Sequence, residues 1–287
     1  MAPASTGPIV STAQARDGRT LRTLHWAGQG VPRAYALFVH GIAEHAGRHT
    51  SVASALAAAG IETHAYDLRG FGSSDGPRAY VGRWSEQHDD VEDQLGAVRA
   101  TADGRPVILY GHSMGGLIAL GYVLSDTPRP PPDLLVLSAP AIAASVPRWK
   151  RALAVVLGHL APRLAVPNQL PPGALSHDPQ VEIDYRADPL NVHRTTARFG
   201  MELFAEQARL RTRLANRPTI PIPTYVFHGA DNAIVPLAAS APLERLAGVT
   251  RRVYPGLRHE MHNEPDAATV VADTIAWIDR TLTTPRA

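Results

Sequence analysis

No cysteine occurs among the 287 residues. Disulfides, thiol nucleophiles and cysteine-based zinc sites are therefore excluded, while the redox compartment stays open. A long apolar run is also missing. The most hydrophobic stretch, RALAVVLGHLAPRLAVP (151–167), is broken by Arg, His and Pro. It falls short of the roughly 20 uninterrupted residues that a membrane span needs. The opening MAPASTGPIVSTAQARDGRT has no basic start leading into an apolar core, so no secretory signal is expected. Charge of one sign is scarce as well: the net charge is +2 and arginines are scattered. Without a dense basic run to track phosphates, nucleic acid is not an expected partner. No internal repeat is visible, and the one biased segment is the turn PRPPP (128–132).

What is present is apolar material, 45% of the chain, enough for one large domain or a domain with an insertion. Short runs rich in β-branched and aromatic residues recur: YALFVHG (35–41), IETHAYDLRG (61–70), PVILYGHS (106–113), DLLVLSAP (133–140) and TYVFHGA (224–230). Their near-continuous apolar character predicts strands covered on both faces, as in a parallel sheet. TRRVYPG (250–256) reads as a last, more polar edge strand.

Helical patterns lie between them. SVASALAAAG (51–60) stops at a glycine, and Val91, Leu95 and Val98 share a face within 84–104. SMGGLIALGYVL (113–124) begins directly after a strand, and Val271, Ile275, Ile278 and Leu282 form a C-terminal stripe. This alternation predicts an α/β fold with a mostly parallel sheet. From 143 to 218 no strand is evident and prolines are frequent. That segment is too long for a simple connection. It is read as a helical cap, leaving 1–142 and 219–287 as the core domain.

LYGHSMGGL contains Gly111-His112-Ser113-Met114-Gly115, a G-x-S-x-G match between a predicted strand and a predicted helix. A serine there sits on a sharp turn above the sheet edge, and the flanking glycines permit close backbone approach. The following helix aims its N-terminus at developing negative charge. Ser113 is the expected nucleophile.

With these residues in view, the chain resembles the monoacylglycerol lipase and lysophospholipase branch of the α/β-hydrolases. HGIAEHAGRH (40–49) resembles its oxyanion loop, DLRGFGSSDGPRAYV (67–81) its D-x-R-G-x-G-x-S stretch, GHSMGG the elbow, and YPGLRHEMHNEP (254–265) its histidine loop. LSAPAI, SHDP and YRADPL also match in order. The resemblance implies an α/β-hydrolase fold, a mostly parallel sheet flanked by helices, with the cap inserted after the sixth strand. It also implies an oxyanion hole from the main-chain N–H groups of Ile42 and Met114. One donor following the nucleophile and one from an earlier loop is the expected arrangement.

Among thirteen histidines, His259 follows the last strand and completes the order Ser, acid, His. His262 would lie on a different face of any turn or helix start. HEMH is one residue short of the H-E-x-x-H zinc motif. His40 is expected to brace the oxyanion loop and His112 to pack behind the elbow.

The acid is ambiguous. In HGADNAIVP (228–236) the family's H-G-x-x-D-x-[IV]-[VI]-P pattern aligns without a gap, and the acid's position holds Asn232; Asp231 comes one residue early. Three readings stand: Asn232 occupies the position and turnover falls, Asp231 turns inward and serves as catalytic acid, or the acid comes from elsewhere.

The expected function is serine ester hydrolysis through an acyl-enzyme, on monoacylglycerols or related carboxylic esters. The alternatives are a lipid-binding homologue without activity, and a haloperoxidase or carbon–carbon bond hydrolase. No metal or organic cofactor is implied. The expected partners are a small-molecule ester or lipid, and a membrane or micelle surface met transiently through the cap. Trp149, Lys150 and Arg151 suit that interfacial position. The chain is read as soluble and cytoplasmic, with peripheral membrane contact.

Overall fold

A computed structural model describes residues 7–144, 146–168, 170–216 and 219–284. The first six residues of the N-terminal stretch, and Arg217 and Pro218 at the expected end of the cap, lie outside the described residues.

Ten strands and seven α-helices are described. The strands are β1 (Ile9–Gln14), β2 (Thr20–Trp26), β3 (Ala34–Val39), β4 (Ile61–Tyr66), β5 (Val107–His112), β6 (Leu134–Ser138), β7 (Ala165–Pro167), β8 (Arg194–Thr196), β9 (Thr219–Gly229) and β10 (Ala247–Tyr254). The helices are α1 (Thr50–Ala58), α2 (Ser85–Thr101), α3 (Met114–Val123), α4 (Arg148–Leu160), α5 (Pro179–Ala187), α6 (Ala197–Asn216) and α7 (Ala267–Thr283).

Eight strands form one sheet in the order β1-β2-β4-β3-β5-β6-β9-β10. Pairing is antiparallel at β1–β2 and β2–β4 and parallel from β4 onward. The central strands β3, β5 and β6 are buried at every position, which is why their sequences are apolar without alternation. One face packs on α2 and α3 through Val91, Leu95, Val98, Leu117 and Leu120. The other packs on α1 and α7 through Val52, Leu56, Val270, Trp277 and Ile278. β10 closes one edge and exposes half its residues, as its polar sequence predicts.

Two features differ from the sequence reading. The β1–β2 hairpin was not predicted, because β1 is exposed almost throughout and its residues carry no core-facing signal. Between β6 and β9, where helices alone are expected, β7 and β8 pair as a three-residue antiparallel ribbon. Runs that short carry no readable period. The rest of that stretch is α4, α5 and α6. It rests on the sheet's C-terminal edge through the Gln207 amide, which donates to the Ala141 carbonyl (2.8 Å), and through Phe199, which packs edge-on against Phe71 and Trp84.

Candidate active site

The turn from β5 into α3 carries Ser113 at φ 52°, ψ −116°. A non-glycine residue with this backbone is strained, and here the strain lifts the side chain above the strand end. Glycines on both sides are a packing necessity. A Cβ on Gly111 would lie 2.4 Å from the Gly115 carbonyl oxygen, and one on Gly115 would lie 2.0 Å from that of Val39. Main-chain bonds pin the turn: Ser113 N–H donates to Ser138 O and Ala141 N–H to Ser113 O, both at 2.9 Å.

The loop after β3 meets this turn. A Cβ on Gly41 would approach that of Ser113 to 3.1 Å, so the main chain carrying Ile42 lies beside the nucleophile. Met114 is the first residue of α3, where a helix leaves its N–H without an internal acceptor. His40 braces the loop from below: its Nε2 accepts from Leu68 N–H (2.9 Å) and its Nδ1 donates to Gly41 O (2.8 Å). Burial pushes this imidazole down to about 4, so it stays neutral with its tautomer fixed.

Glu44 adds a second brace, its Oε1 accepting from Gly41 N–H at 2.5 Å. Burial alone would raise this carboxyl, but His49, His112 and Arg48 around it hold it well below the ordinary range. Arg48 spans two loops. It donates through Nε to Glu44 (3.3 Å) and through Nη2 to both carboxylate oxygens of Glu260 (2.8 Å each). The oxyanion loop and the histidine loop are thereby tied together. Glu44, Arg48 and Glu260 went unassigned in the sequence reading; their only signal was charge inside two motifs whose other residues explained them.

The structure brings Ser113 and His259 together: His259 Nε2 lies 3.0 Å from Ser113 Oγ. Both are buried, and burial pushes His259 down to about 4, with the charge of Glu44 opposing. His262 stands behind, its ring centroid 4.9 Å from that of His112 and 4.7 Å from that of His49. It does not reach the serine in the hydrogen-bond network.

Of the two candidate acids, Asn232 faces the imidazole and Asp231 does not. Asp231 is exposed, which corrects its expected place in the site: its main-chain N–H donates to Leu257 O at 3.0 Å, and its side chain points to solvent. Asn232 is buried, with Nδ2 at 3.0 Å from His259 Nδ1. Its amide orientation is fixed by the backbone, because Oδ1 accepts from Ile234 N–H (3.0 Å) and Val235 N–H (2.9 Å). Turning the amide over would set its NH₂ against two N–H donors.

The consequence is chemical. An NH₂ donating to Nδ1 makes that nitrogen the acceptor, so the ring proton resides on Nε2 and points at the serine hydroxyl. A general base needs the opposite tautomer, with the Nε2 lone pair toward Oγ. The surroundings also suit a carboxylate better than an amide. His228 Nε2 donates to Val235 O (2.9 Å) and sits 3.3 Å from the same Nδ2, two donors face to face.

A buried Ser–His pair at a strained strand-to-helix turn defines a serine hydrolase of the α/β-hydrolase fold. Comparison with known proteins agrees. The family described as "Serine aminopeptidase, S33" matches residues 30–266. A monoacylglycerol lipase of Mycolicibacterium smegmatis is 37% identical over 88% of this chain and 90% of its own length. The Homo sapiens monoglyceride lipase is 29% identical over 93% of this chain and 89% of its own. Among solved structures, the Paleococcus ferrophilus monoacylglycerol lipase superposes with a TM-score of 0.80 at 28% identity, covering 91% of this chain and 99% of that one. The chain belongs to this family and, within the α/β-hydrolases, to the monoacylglycerol lipase branch, a class of serine carboxylic ester hydrolases.

Proposed function

We propose that the chain cleaves monoacylglycerol-type carboxylic esters through an acyl-enzyme on Ser113, with turnover held low by Asn232. His259 serves as base and acid, and Ile42 and Met114 N–H bind the oxyanion. The observation that carries this reading is the 3.0 Å contact between His259 Nε2 and Ser113 Oγ. Removing a nucleophilic serine costs a full triad about 10⁶ in kcat, and removing the acid alone about 10⁴. Because the second loss is already present, Ser113→Ala should lower hydrolysis of a 1-monoacylglycerol by only about 10²-fold. Glycerol release by the purified chain measures this; equal rates in both proteins would sink the proposal.

The reversed tautomer favours a second reading, a lipid-binding protein that retains the hydrolase shell. A fluorophosphonate probe separates the two: covalent capture at Ser113 supports the enzyme, and an inert serine supports the binding protein.

We also propose that residues 143–218 form a cap that touches lipid surfaces in the cytoplasm. No helix of the described residues is long and apolar enough to cross a membrane. On α4, however, Trp149, Leu153, Val156 and Leu160 recur at helical spacing and are 64%, 46%, 50% and 79% exposed. Arg148 and Lys150 flank this stripe. An apolar stripe bordered by cations is the signature of a helix lying in the membrane interface. Co-sedimentation with vesicles containing anionic phosphatidylglycerol should fall several-fold in a Trp149→Ser, Leu153→Ser chain. Unchanged binding would refute the contact.

A further inference from the structure

We propose that His25, Glu62 and His64 form a binding site for a divalent metal ion of the zinc type, on the sheet and away from Ser113. His25 on β2 stands directly opposite His64 on β4, and Glu62 precedes His64 by two residues on the same face. This places two donors at i and i+2 of one strand and the third across the ladder. The pleat turns all three to one side. The side chains are only partly buried, at 30%, 17% and 22% exposed for His25, Glu62 and His64, so an ion can enter.

The spacing fits. With metal–ligand bonds of about 2.0–2.1 Å, two ligands of a tetrahedral ion stand about 3.3 Å apart. Here Glu62 Oε1 lies 2.9 Å from His25 Nε2 and 3.6 Å from His64 Nε2, and the three donor atoms lie within 4.8 Å of one another. Two imidazoles and a carboxylate with a fourth position for water suit zinc, and need no cysteine.

Unused valence marks the site too. His64 Nε2 is buried and makes no hydrogen bond among the described residues. A neutral imidazole offers such a nitrogen as a metal ligand. His25 Nε2 lies 2.9 Å from Glu62 Oε1, a contact the ion would replace.

The rings are stacked, 4.4 Å between centroids and 7° between planes. For their lone pairs to converge, each must tilt about its Cβ–Cγ bond toward the open side. Glu62 is the second residue of β4, whereas the catalytic loops follow the C-terminal ends of the strands. The ion would therefore cross-link β2 to β4 and fasten the N-terminal hairpin, and take no part in ester chemistry.

Zinc titration of the metal-stripped, untagged full chain against a chromophoric chelator tests the assignment. One site per chain is expected, with affinity at least about 100-fold weaker in His64→Ala, above the range for losing an outer-shell partner. Glu62→Gln should weaken it as well. Zinc should raise the melting temperature of the native chain and leave that of His64→Ala unmoved. Circular dichroism establishes that the variants fold. Equal zinc affinity in the native chain and His64→Ala, or no competition with a micromolar chelator by the native chain, overturns the proposal.

Discussion

Asn232→Asp should raise kcat for ester hydrolysis by about 10³–10⁴-fold, the inverse of what the opposite change costs a trypsin-type triad. The pocket is already arranged for it. With Oδ1 held by the N–H groups of Ile234 and Val235, the second carboxylate oxygen falls where Nδ2 now stands, 3.0 Å from His259 Nδ1. It would accept the Nδ1 proton, turn the Nε2 lone pair toward Ser113, and stabilise the imidazolium that forms during attack. His228 Nε2, now opposite another donor, would gain an acceptor.

The sign of the pH effect follows. Burial holds the imidazole down to about 4, and an adjacent negative charge favours its protonated form. The acid limb of the variant's rate profile should therefore lie at higher pH than that of the native chain, because the base must be neutral to act. Asp231→Asn, at an exposed position, should leave kcat within about twofold, as surface changes away from a site do. Steady-state kinetics on a p-nitrophenyl ester decide both. Should Asp231→Asn abolish turnover while Asn232→Asp changes nothing, the assignment of position 232 is wrong.

Gly115→Ala should cost more than about 4 kcal/mol, in the range reserved for severe steric conflict. The added carbon would sit 2.0 Å from the Val39 carbonyl oxygen and 2.6 Å from that of His40, both main-chain atoms at the end of β3. Neither can give way without displacing the strand from its pairing with β5. A melting temperature lower by roughly 10 °C, or failure to accumulate as folded protein, is the expected result. Gly96→Ala is the matched control. That glycine lies on the exposed side of α2, where a new Cβ meets nothing within 4 Å. Helix propensity should make it neutral or more stable by up to about 1 kcal/mol. A Gly115→Ala chain melting with the native one would contradict the packing described for the elbow.

The central strands and the elbow were legible because burial on both faces forces a continuous apolar run, and a strained serine forces glycines into fixed positions. β1 escaped because a strand at a wet edge is under no such constraint, and β2 because its buried residues, Leu21, Leu24 and Trp26, follow no strict alternation. The acid position could be aligned from HGADNAIVP, but which side chain turned inward depended on the bonds from Ile234 and Val235 to Oδ1, and no spacing encodes these. Glu44, Arg48 and Glu260 depend on two loops more than 200 residues apart meeting in space, as the Arg48–Glu260 separation of 212 shows. The His25–Glu62–His64 group likewise needs the β2–β4 register, which the sequence does not reveal.

The proton that Asn232 holds on the serine side of His259 has a practical use. A catalyst slowed about 10⁴-fold before its first bond-forming event turns over in minutes where an intact triad takes a fraction of a second. Crystals of the unaltered chain frozen within seconds of meeting a long-chain ester should thus retain the uncleaved molecule, making this protein a slow-release substrate trap for imaging how acyl chain and head group are seated.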